Sequence, residues 1–274
     1  MKKFVYVFFY FLLINRCEAI GVLRSVGGRS AAMGCTSVAE RGLWTMQNNP
    51  AGLAYQQGWG FGLYYENRWL LRETAFKSGA VTKAIDGVGC LGLTVSQFGG
   101  NGYSESRFGL AYARDFGPYL QMGLLVDYLL LHWGSPYPNR GALDLCLGVQ
   151  SQVTDKLRLG ACLSNPFLAK LKTLNENRIP TVLRFGLAYQ ITDDFVVQCE
   201  MEKNSEEMGL HFRSGFEYVV FRRVSLRAGA QVNPNMLSFG IGYEIWGIHF
   251  DLAAQMHQLL GASIQLGMET WWIR

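Results

Sequence analysis

Residues 208–220 read MGLHFRSGFEYVV, a stretch in which apolar and polar residues alternate. The even positions are mostly aliphatic or aromatic, whereas the odd positions include His211, Arg213 and Glu217. A period of two places successive side chains on opposite faces of a β-strand. The stretch therefore predicts a long strand with one apolar and one ionic face.

The same alternation recurs in Leu237 to Ile245 and in Ile248 to Met256. Soluble sandwiches also alternate, but their strands usually have about five or six residues. Strands of about 9–11 residues that alternate apolar outside and polar inside are typical of transmembrane barrels. We therefore predict an all-β fold, a transmembrane antiparallel up-and-down β-barrel with an N-terminal hatch or plug segment.

Short turns separate the predicted strands, for example Asp86-Gly87 and Asn233-Pro234-Asn235. Fourteen strands are predicted, at residues 58–68, 71–83, 87–99, 102–115, 118–132, 140–153, 156–164, 179–191, 194–203, 207–221, 223–232, 236–245, 247–257 and 260–271. If the first two, which are the weakest, failed to pair, the barrel would have twelve.

The composition agrees with a membrane barrel rather than a soluble helical enzyme. Of the 274 residues, 32 are Gly and only 17% are charged, whereas 14% are aromatic. The formal net charge is +4. Because so small a surplus gives little attraction to phosphates, the charge argues against nucleic acid as a partner.

The first nineteen residues resemble a secretory signal peptide. Lys2 and Lys3 precede an apolar run from Phe4 to Ile14, which is too short to span a membrane, and Ala19 ends a cleavage-like site. We predict three parts: residues 1–19 as a signal peptide, 20–57 as an N-terminal segment without period two, and 58–274 as the barrel.

The inner face of this barrel carries charges of both signs. Interleaved Arg and Glu favour cross-strand ion pairs that fill a narrow lumen, whereas a selective pore tends to carry rings of one sign. The predicted lumen ion network comprises Arg184, Glu200, His211, Arg213, Glu217, Arg227, Glu244 and Asp251.

No catalytic or cofactor site is predicted. His249 and His257 lie on one strand about 27 Å apart at about 3.3 Å per residue, so they cannot share a metal ion. The sequence has no GxSxG motif, P-loop or dinucleotide fingerprint. Five cysteines follow the signal peptide without a CxxC pair, so neither a zinc site nor a disulfide framework is indicated, and at least one thiol stays free.

Two stretches carry a family resemblance. Residues 27–39 (GGRSAAMGCTSVA) with 49–54 (NPAGLA), and residues 164–167 (SNPF) with 179–189 (IPTVLRFGLAY), resemble the PorV/PorQ family within the FadL-like group of outer-membrane barrels. The resemblance implies fourteen strands and an N-terminal hatch that folds into the lumen. The hatch residues are then Trp44, Asn49, Pro50, Ala51 and Gly52.

For this hatch we expect Trp44 to pack against the inner wall with its N–H bonded to an acceptor. Pro50 fixes φ and Gly52 permits φ > 0 at a turn, which alternatively does no more than join a short helix to strand one.

The resemblance implies a non-enzymatic protein of the Gram-negative outer membrane. Its partners are then outer-membrane lipid and, as in type IX secretion, secretion or assembly subunits. The alternative is a FadL-like conduit for a small hydrophobic ligand, although the loops are short for a transporter.

Overall fold

The computed structural model describes residues 25–134, 138–167, 169 and 179–272. The expected signal peptide lies outside these residues. The described residues form fourteen strands in one closed antiparallel barrel in which each strand pairs with its neighbours in sequence and β1 pairs with β14. The strands are β1(Trp59–Asn67), β2(Ala75–Ile85), β3(Gly89–Gly99), β4(Tyr103–Asp115), β5(Leu120–Trp133), β6(Arg140–Gln152), β7(Leu157–Ser164), β8(Val182–Thr192), β9(Phe195–Asn204), β10(His211–Val220), β11(Val224–Val232), β12(Met236–Ile245), β13(Ile248–His257) and β14(Gly261–Trp272).

The predicted barrel and its fourteen strands are confirmed, and the two weakest predicted strands pair with each other as β1 and β2. Three strand starts were predicted too early. β10 begins at His211, so Met208 lies in a turn and is 99% exposed. β8 begins at Val182, after Pro180, which has no N–H to donate. β2 begins at Ala75 because two 3-10 helices, Arg68–Leu70 and Arg72–Thr74, occupy the connection.

The outer wall is apolar. Phe212, Phe239 and Leu252 are 50%, 52% and 48% exposed, and all three alternate with buried residues of the same strands. Phe216, Ile241 and Phe250 lie on the same face. This surface has the character of the lipid-facing band of a membrane barrel. Among the described residues, no helix is both long and apolar enough to cross a membrane.

The two ends of the barrel differ. Trp59 of β1 pairs with Trp272 of β14, so both ends of the barrel wall lie at the same rim, which we call the terminal end. The connections at this rim are tight turns, such as Phe221 to Arg223 and Trp246-Gly247. The opposite rim, the loop end, carries the longer connections, including residues 165–181 between β7 and β8.

Residues 25–57, the luminal segment, lie inside the barrel. They contain two short helices, α1(Gly28–Ala32) and α2(Thr45–Asn48), and a 3-10 helix, Pro50–Tyr55. Nearly all residues from 25 to 53 are buried. The segment contacts the inner wall around its circumference, from β1 and β3 on one side to β10 and β13 on the other.

Candidate functional site: the lumen and its N-terminal segment

Glycines on the inner wall admit the main chain of the luminal segment. A Cβ atom at Gly215 of β10 or Gly229 of β11 would overlap the backbone of Met33 and Gly34. Gly34 has φ +70, and a Cβ there would lie 2.7 Å from the carbonyl oxygen of Ser214. Backbone atoms of the segment are also the nearest neighbours at Gly123 of β5 and Gly160 of β7, whereas at Gly148 of β6 and Gly240 of β12 the nearest atoms belong to the side chains of Asn49 and Ala32. The wall is therefore shaped to the backbone of the segment at Gly123, Gly160, Gly215 and Gly229.

The Asn-Pro-Ala turn is anchored by Asn49. Its Nδ2 donates to the carbonyl of Val38 at 2.6 Å and also points at the wall carbonyls of Val149 and Ala161 at 3.2 and 3.3 Å. Its Oδ1 accepts from the N–H of Ala51 at 3.2 Å, and Pro50 begins the 3-10 helix that returns the chain to β1. This turn is thus fastened both to the segment and to the wall.

Gly52 and Trp44 differ in detail from the expectation. Gly52 does not have a positive φ. It is instead required because a Cβ would lie 2.7 Å from the carbonyl oxygen of Glu40. Trp44 is buried with its ring centroid 5.8 Å from that of Tyr64 on β1. Its Nε1 has no hydrogen-bond acceptor among the described residues, so packing alone positions the indole.

One ion cluster joins the luminal segment to β10, β11 and β13. Arg29 of α1 donates two hydrogen bonds to Glu217, Nε to Oε2 at 2.9 Å and Nη2 to Oε1 at 2.8 Å. Glu217 also accepts from Arg227 at 2.5 Å, and Arg227 pairs in turn with Asp251. Because Arg29 and Glu217 form a bidentate pair, their relative orientation is fixed as well as their distance.

A second ion cluster lies on β8, β9 and β10. Arg213 pairs with Glu200 at 2.9 Å and with Glu202 at 2.8 Å, and Glu202 also pairs with Arg184 at 2.7 Å. Glu200 reaches the luminal segment by accepting from the backbone N–H groups of residues 37 and 38 at 2.7 and 2.9 Å. The four side chains are buried.

The structure separates two predicted network residues from these clusters. His211 bonds the carbonyl of Asn233 and pairs with Glu207 at 2.8 Å, so it ties two loop-end connections together. Glu244 lies at the terminal end with its side chain 48% exposed, and its nearest ionic partner is His249 at 3.7 Å. Glu244 therefore does not join Arg213, Glu217 and Arg227, because it is only one residue from the end of β12.

Arg29 and Glu40 were not predicted, and both belong to the luminal segment rather than to a strand. Burial disfavours the charge of Arg29, but Glu217 and Glu40 outweigh burial and raise the pKa of Arg29 above its ordinary value. Burial raises the pKa of Glu40 to about 7, although Arg29, 3.5 Å away, opposes this shift. The sequence held no signal for this pair beyond two charges in an otherwise small and apolar stretch.

The other half of the lumen has the larger apolar clusters, although Glu66, Glu105, Arg107, Asp127 and Asp144 are also buried there. Leu43, Met46 and Leu53 of the luminal segment are fully buried against inward residues of β1 to β7. The wall residues of this cluster are Tyr64, Ala80, Cys90, Ala111, Ala113, Leu125, Cys146 and Cys162. Towards the loop end, the same side of the barrel carries a second apolar cluster, formed by Leu129, Leu131, Ala142 and Ile179. Between the two clusters stands an ion pair of Arg107 with Asp144 at 3.6 Å. We call the inner faces of β1–β7 the apolar half and those of β8–β13 the ionic half.

A cavity of about 290 Å³ opens at the terminal end, beside the ionic half. Arg29 and Arg41 of the luminal segment line one side, and His249, Glu269 and Trp271 line the wall side. The described residues contain no group of three or more His, Cys, Asp or Glu side chains arranged to hold a metal ion. The lumen is thus occupied by a segment of the chain itself, with free space at its terminal end.

Comparisons with known proteins yielded structural neighbours alone. No family model and no curated protein matches the sequence. The toluene transporter TodX of Pseudomonas putida shares 14% identity, with a TM-score of 0.67 over 92% of this chain and 100% of that chain. The toluene transporter TbuX of Ralstonia pickettii shares 17% identity, with a TM-score of 0.65 over 91% and 99% of the two chains. A FadL homologue of Pseudomonas aeruginosa shares 11% identity, with a TM-score of 0.65 over 90% and 98%.

TodX and TbuX are described as transporters, and none of the comparisons singles out the PorV/PorQ family. At such low identity the likeness concerns the fold alone. The chain has the fold of FadL-like outer-membrane β-barrels.

Proposed function

We propose that this protein is an outer-membrane conduit for small hydrophobic molecules and that the luminal segment is its gate, or hatch. The observation that carries the proposal is the division of the lumen. The ionic half fastens the segment by directional contacts, such as Arg29 with Glu217, whereas the apolar half offers a surface that suits an apolar solute. The apolar outer wall supports a location in lipid, and export to the outer membrane by the signal peptide belongs to the same proposal.

The structural neighbours support this choice of solute. TodX and TbuX are described as toluene transporters, and a variant of TodX as a monoaromatic hydrocarbon channel. A monoaromatic hydrocarbon is small, uncharged and rigid, so it needs an apolar path but few hydrogen bonds. The sequence analysis held this conduit as its alternative, and the neighbours favour it over the secretion role.

A reversible lock of the luminal segment tests the conduit. A Cβ at Gly240 of β12 would lie 2.5 Å from the Cβ of Ala32 in α1, so Ala32→Cys with Gly240→Cys brings two thiols together after a shift of about 1 Å. Cells producing the oxidised double variant should take up labelled toluene at the rate of a deletion strain, and a membrane-permeant reductant should restore the rate.

The single variants Ala32→Cys and Gly240→Cys are the matched controls, because each carries one change but cannot form the lock. Their uptake should not respond to oxidant or reductant. If wild-type cells take up toluene no faster than the deletion strain, the conduit is refuted. If the lock forms without slowing uptake, the gate is refuted.

A second candidate, an accessory protein of type IX secretion that works through protein partners, is favoured by the rim of the terminal end. Phe221 and Trp246 sit in tight turns at positive φ and are each 90% exposed. Exposed aromatic side chains on strained turns suit a contact with another protein. Purification from outer membranes in mild detergent should recover secretion or assembly subunits in this case, and deletion should mislocalise surface proteins while toluene uptake stays normal.

A further inference from the structure

Cys146 of β6 and Cys162 of β7 lie next to each other on the inner wall. Their Sγ atoms are 2.9 Å apart, closer than two unbonded sulfur atoms normally rest and about 0.9 Å longer than a disulfide bond of about 2.05 Å. Both side chains are buried. The structure has Cys146 and Cys162 as unbonded thiols, and Cys90 and Cys199 are unbonded as well.

The register of the two strands explains this approach. Cys146 is opposite Ser164 and Cys162 is opposite Gly148, so the cysteines are diagonal neighbours on one face of the ladder. Gly148 has no side chain, which leaves room for Cys162 to lean towards Cys146. The sulfur atoms would need to approach each other by about 0.9 Å to reach bonding distance.

The two cysteines lie at the end of a short ladder of paired residues in the wall. The β6–β7 ladder runs from Cys146 and Ser164 to Gln152 and Arg158, and it is the shortest in the described part of the barrel. β7 ends at Ser164, whereas β6 continues to Arg140 towards the loop end. A covalent bond beside the last pair of a ladder opposes fraying at that end.

We propose that Cys146 and Cys162 form a disulfide in the exported protein and that this bond staples the loop end of the β6–β7 ladder. The inference goes beyond the transport function, and from the proposal above it uses only export, because compartments outside the cytoplasm favour disulfides. An oxidised thiol–disulfide oxidoreductase supplies the oxidant. The S–S bond of the oxidoreductase breaks as the Cys146–Cys162 bond forms, and the two thiol protons pass to its sulfur atoms, giving a dithiol.

Bond formation has to precede the docking of the luminal segment. Val38 lies against Gly160 and Gly186 and belongs to the same apolar cluster as Cys146 and Cys162, so the finished lumen covers both sulfur atoms. We therefore assign oxidation to the stage of export or barrel assembly. Once formed, the bond is shielded from soluble reductants.

Peptide mapping tests the staple on the wild-type protein. Protein from the outer-membrane fraction is alkylated with iodoacetamide in denaturant without reductant and is then digested with trypsin. Cleavage at Arg140, Lys156, Arg158 and Lys170 gives one peptide of residues 141–156 with Cys146 and one of residues 159–170 with Cys162. We expect these two peptides to be linked to each other, and to separate and become alkylated only after reduction.

Cys90 is the internal control, because it is also buried in the lumen but should be alkylated at once in denaturant. In Cys146→Ser protein, Cys162 should likewise be alkylated without reduction. Full alkylation of Cys146 and Cys162 in unreduced wild-type protein would refute the disulfide and would not affect the proposed transport function. If the two peptides are linked but cells producing the protein take up no toluene, the transport function is refuted and the disulfide is supported.

Discussion

The two halves of the lumen hold the same luminal segment by different physical means. On the ionic half, Arg29 and the backbone of residues 37 and 38 meet Glu217 and Glu200 at hydrogen-bond distance and with fixed directions. On the apolar half, Leu43 and Met46 are held by burial, and Asn49 adds neutral hydrogen bonds to the wall carbonyls of Val149 and Ala161. The ion pairs of the ionic half and the hydrogen bonds of both halves therefore set where the segment sits, and the apolar surface of β1–β7 sets what else the lumen would accept.

We expect the largest loss of stability when a substitution leaves the buried charges of the ionic half unbalanced. Arg213→Met leaves Glu200 and Glu202 with only Arg184 between them, so we expect a loss of about 3–5 kcal/mol in the free energy of unfolding. The midpoint of the heat-dependent shift in gel mobility measures this loss.

The charge-balanced control is Arg213→Met with Glu200→Gln, in which Arg184 still faces Glu202. This double variant should unfold at a higher temperature than Arg213→Met alone. Equal midpoints for the single and the double variant would show that the cluster does not act as a buried ion network.

The assignment of inner and outer faces is tested by two neighbouring residues of β10. Phe212 is 50% exposed on the outer wall, whereas His211 is buried and faces inward. Phe212→Arg places a charge in lipid, which costs about 2–4 kcal/mol near the midplane, and it should reduce assembly of the heat-modifiable barrel. His211→Arg is the neighbouring control. If both variants assemble equally well, the face assignment is wrong.

The main-chain contact between the wall and the luminal segment is tested at Gly215. The side chain introduced by Gly215→Val would overlap Met33, so the docking of the luminal segment on the wall should weaken by about 1–3 kcal/mol. Trypsin should then cleave faster after Arg41. Gly79→Val is the matched control, because Gly79 faces outward and its nearest neighbour, Leu63 Cδ2, is 3.7 Å from the new Cβ. Cleavage at the same rate in both variants would argue against close backbone packing.

A pH dependence of the docking should follow from Glu40. Its pKa in the folded protein is about 7, above its ordinary value of 4.5, so the folded protein binds the proton more tightly than the unfolded chain. The resulting stability is complete below about pH 4.5 and is lost as the pH rises to about 7, at no more than about 1.4 kcal/mol per pH unit. Trypsin cleavage after Arg41 should accelerate over this window in wild type. In the Glu40→Gln variant, the rate of cleavage should not respond to this protonation. If the rate rises as steeply with pH in the variant as in wild type, Glu40 is not the cause.

Period-two alternation was sufficient to predict the wall of the barrel, because each strand separates lipid from lumen. The pattern failed at strand ends, where Met208 continued the apolar phase although Gly209, with φ +107, already belongs to a turn. The alternation also predicted an inward position for Arg184, Arg213 and Glu217, which are buried in the structure. It could not say which of them pair, because pairing depends on the register between strands and on reach across the lumen.

The arrangement of the luminal segment was beyond sequence patterns. Arg29 and Glu40 are single charges without periodicity, and their partner Glu217 is 188 positions away from Arg29. A usable signal did exist in the wall, because Gly215 and Gly229 occupy the polar phase of adjacent strands and pair with each other. Glycines aligned across strands on an inner face indicate a bound backbone, but the composition alone suggested turns.

The glycine-lined contact has a consequence for the space that the luminal segment would leave on opening. A groove walled by ordinary side chains can refill, because neighbouring rotamers swing into the gap. Gly123, Gly148, Gly160, Gly215 and Gly229 have no side chain to swing. The vacated track would therefore keep the width of a polypeptide backbone, and its dimensions would be set by the spacing of the strands.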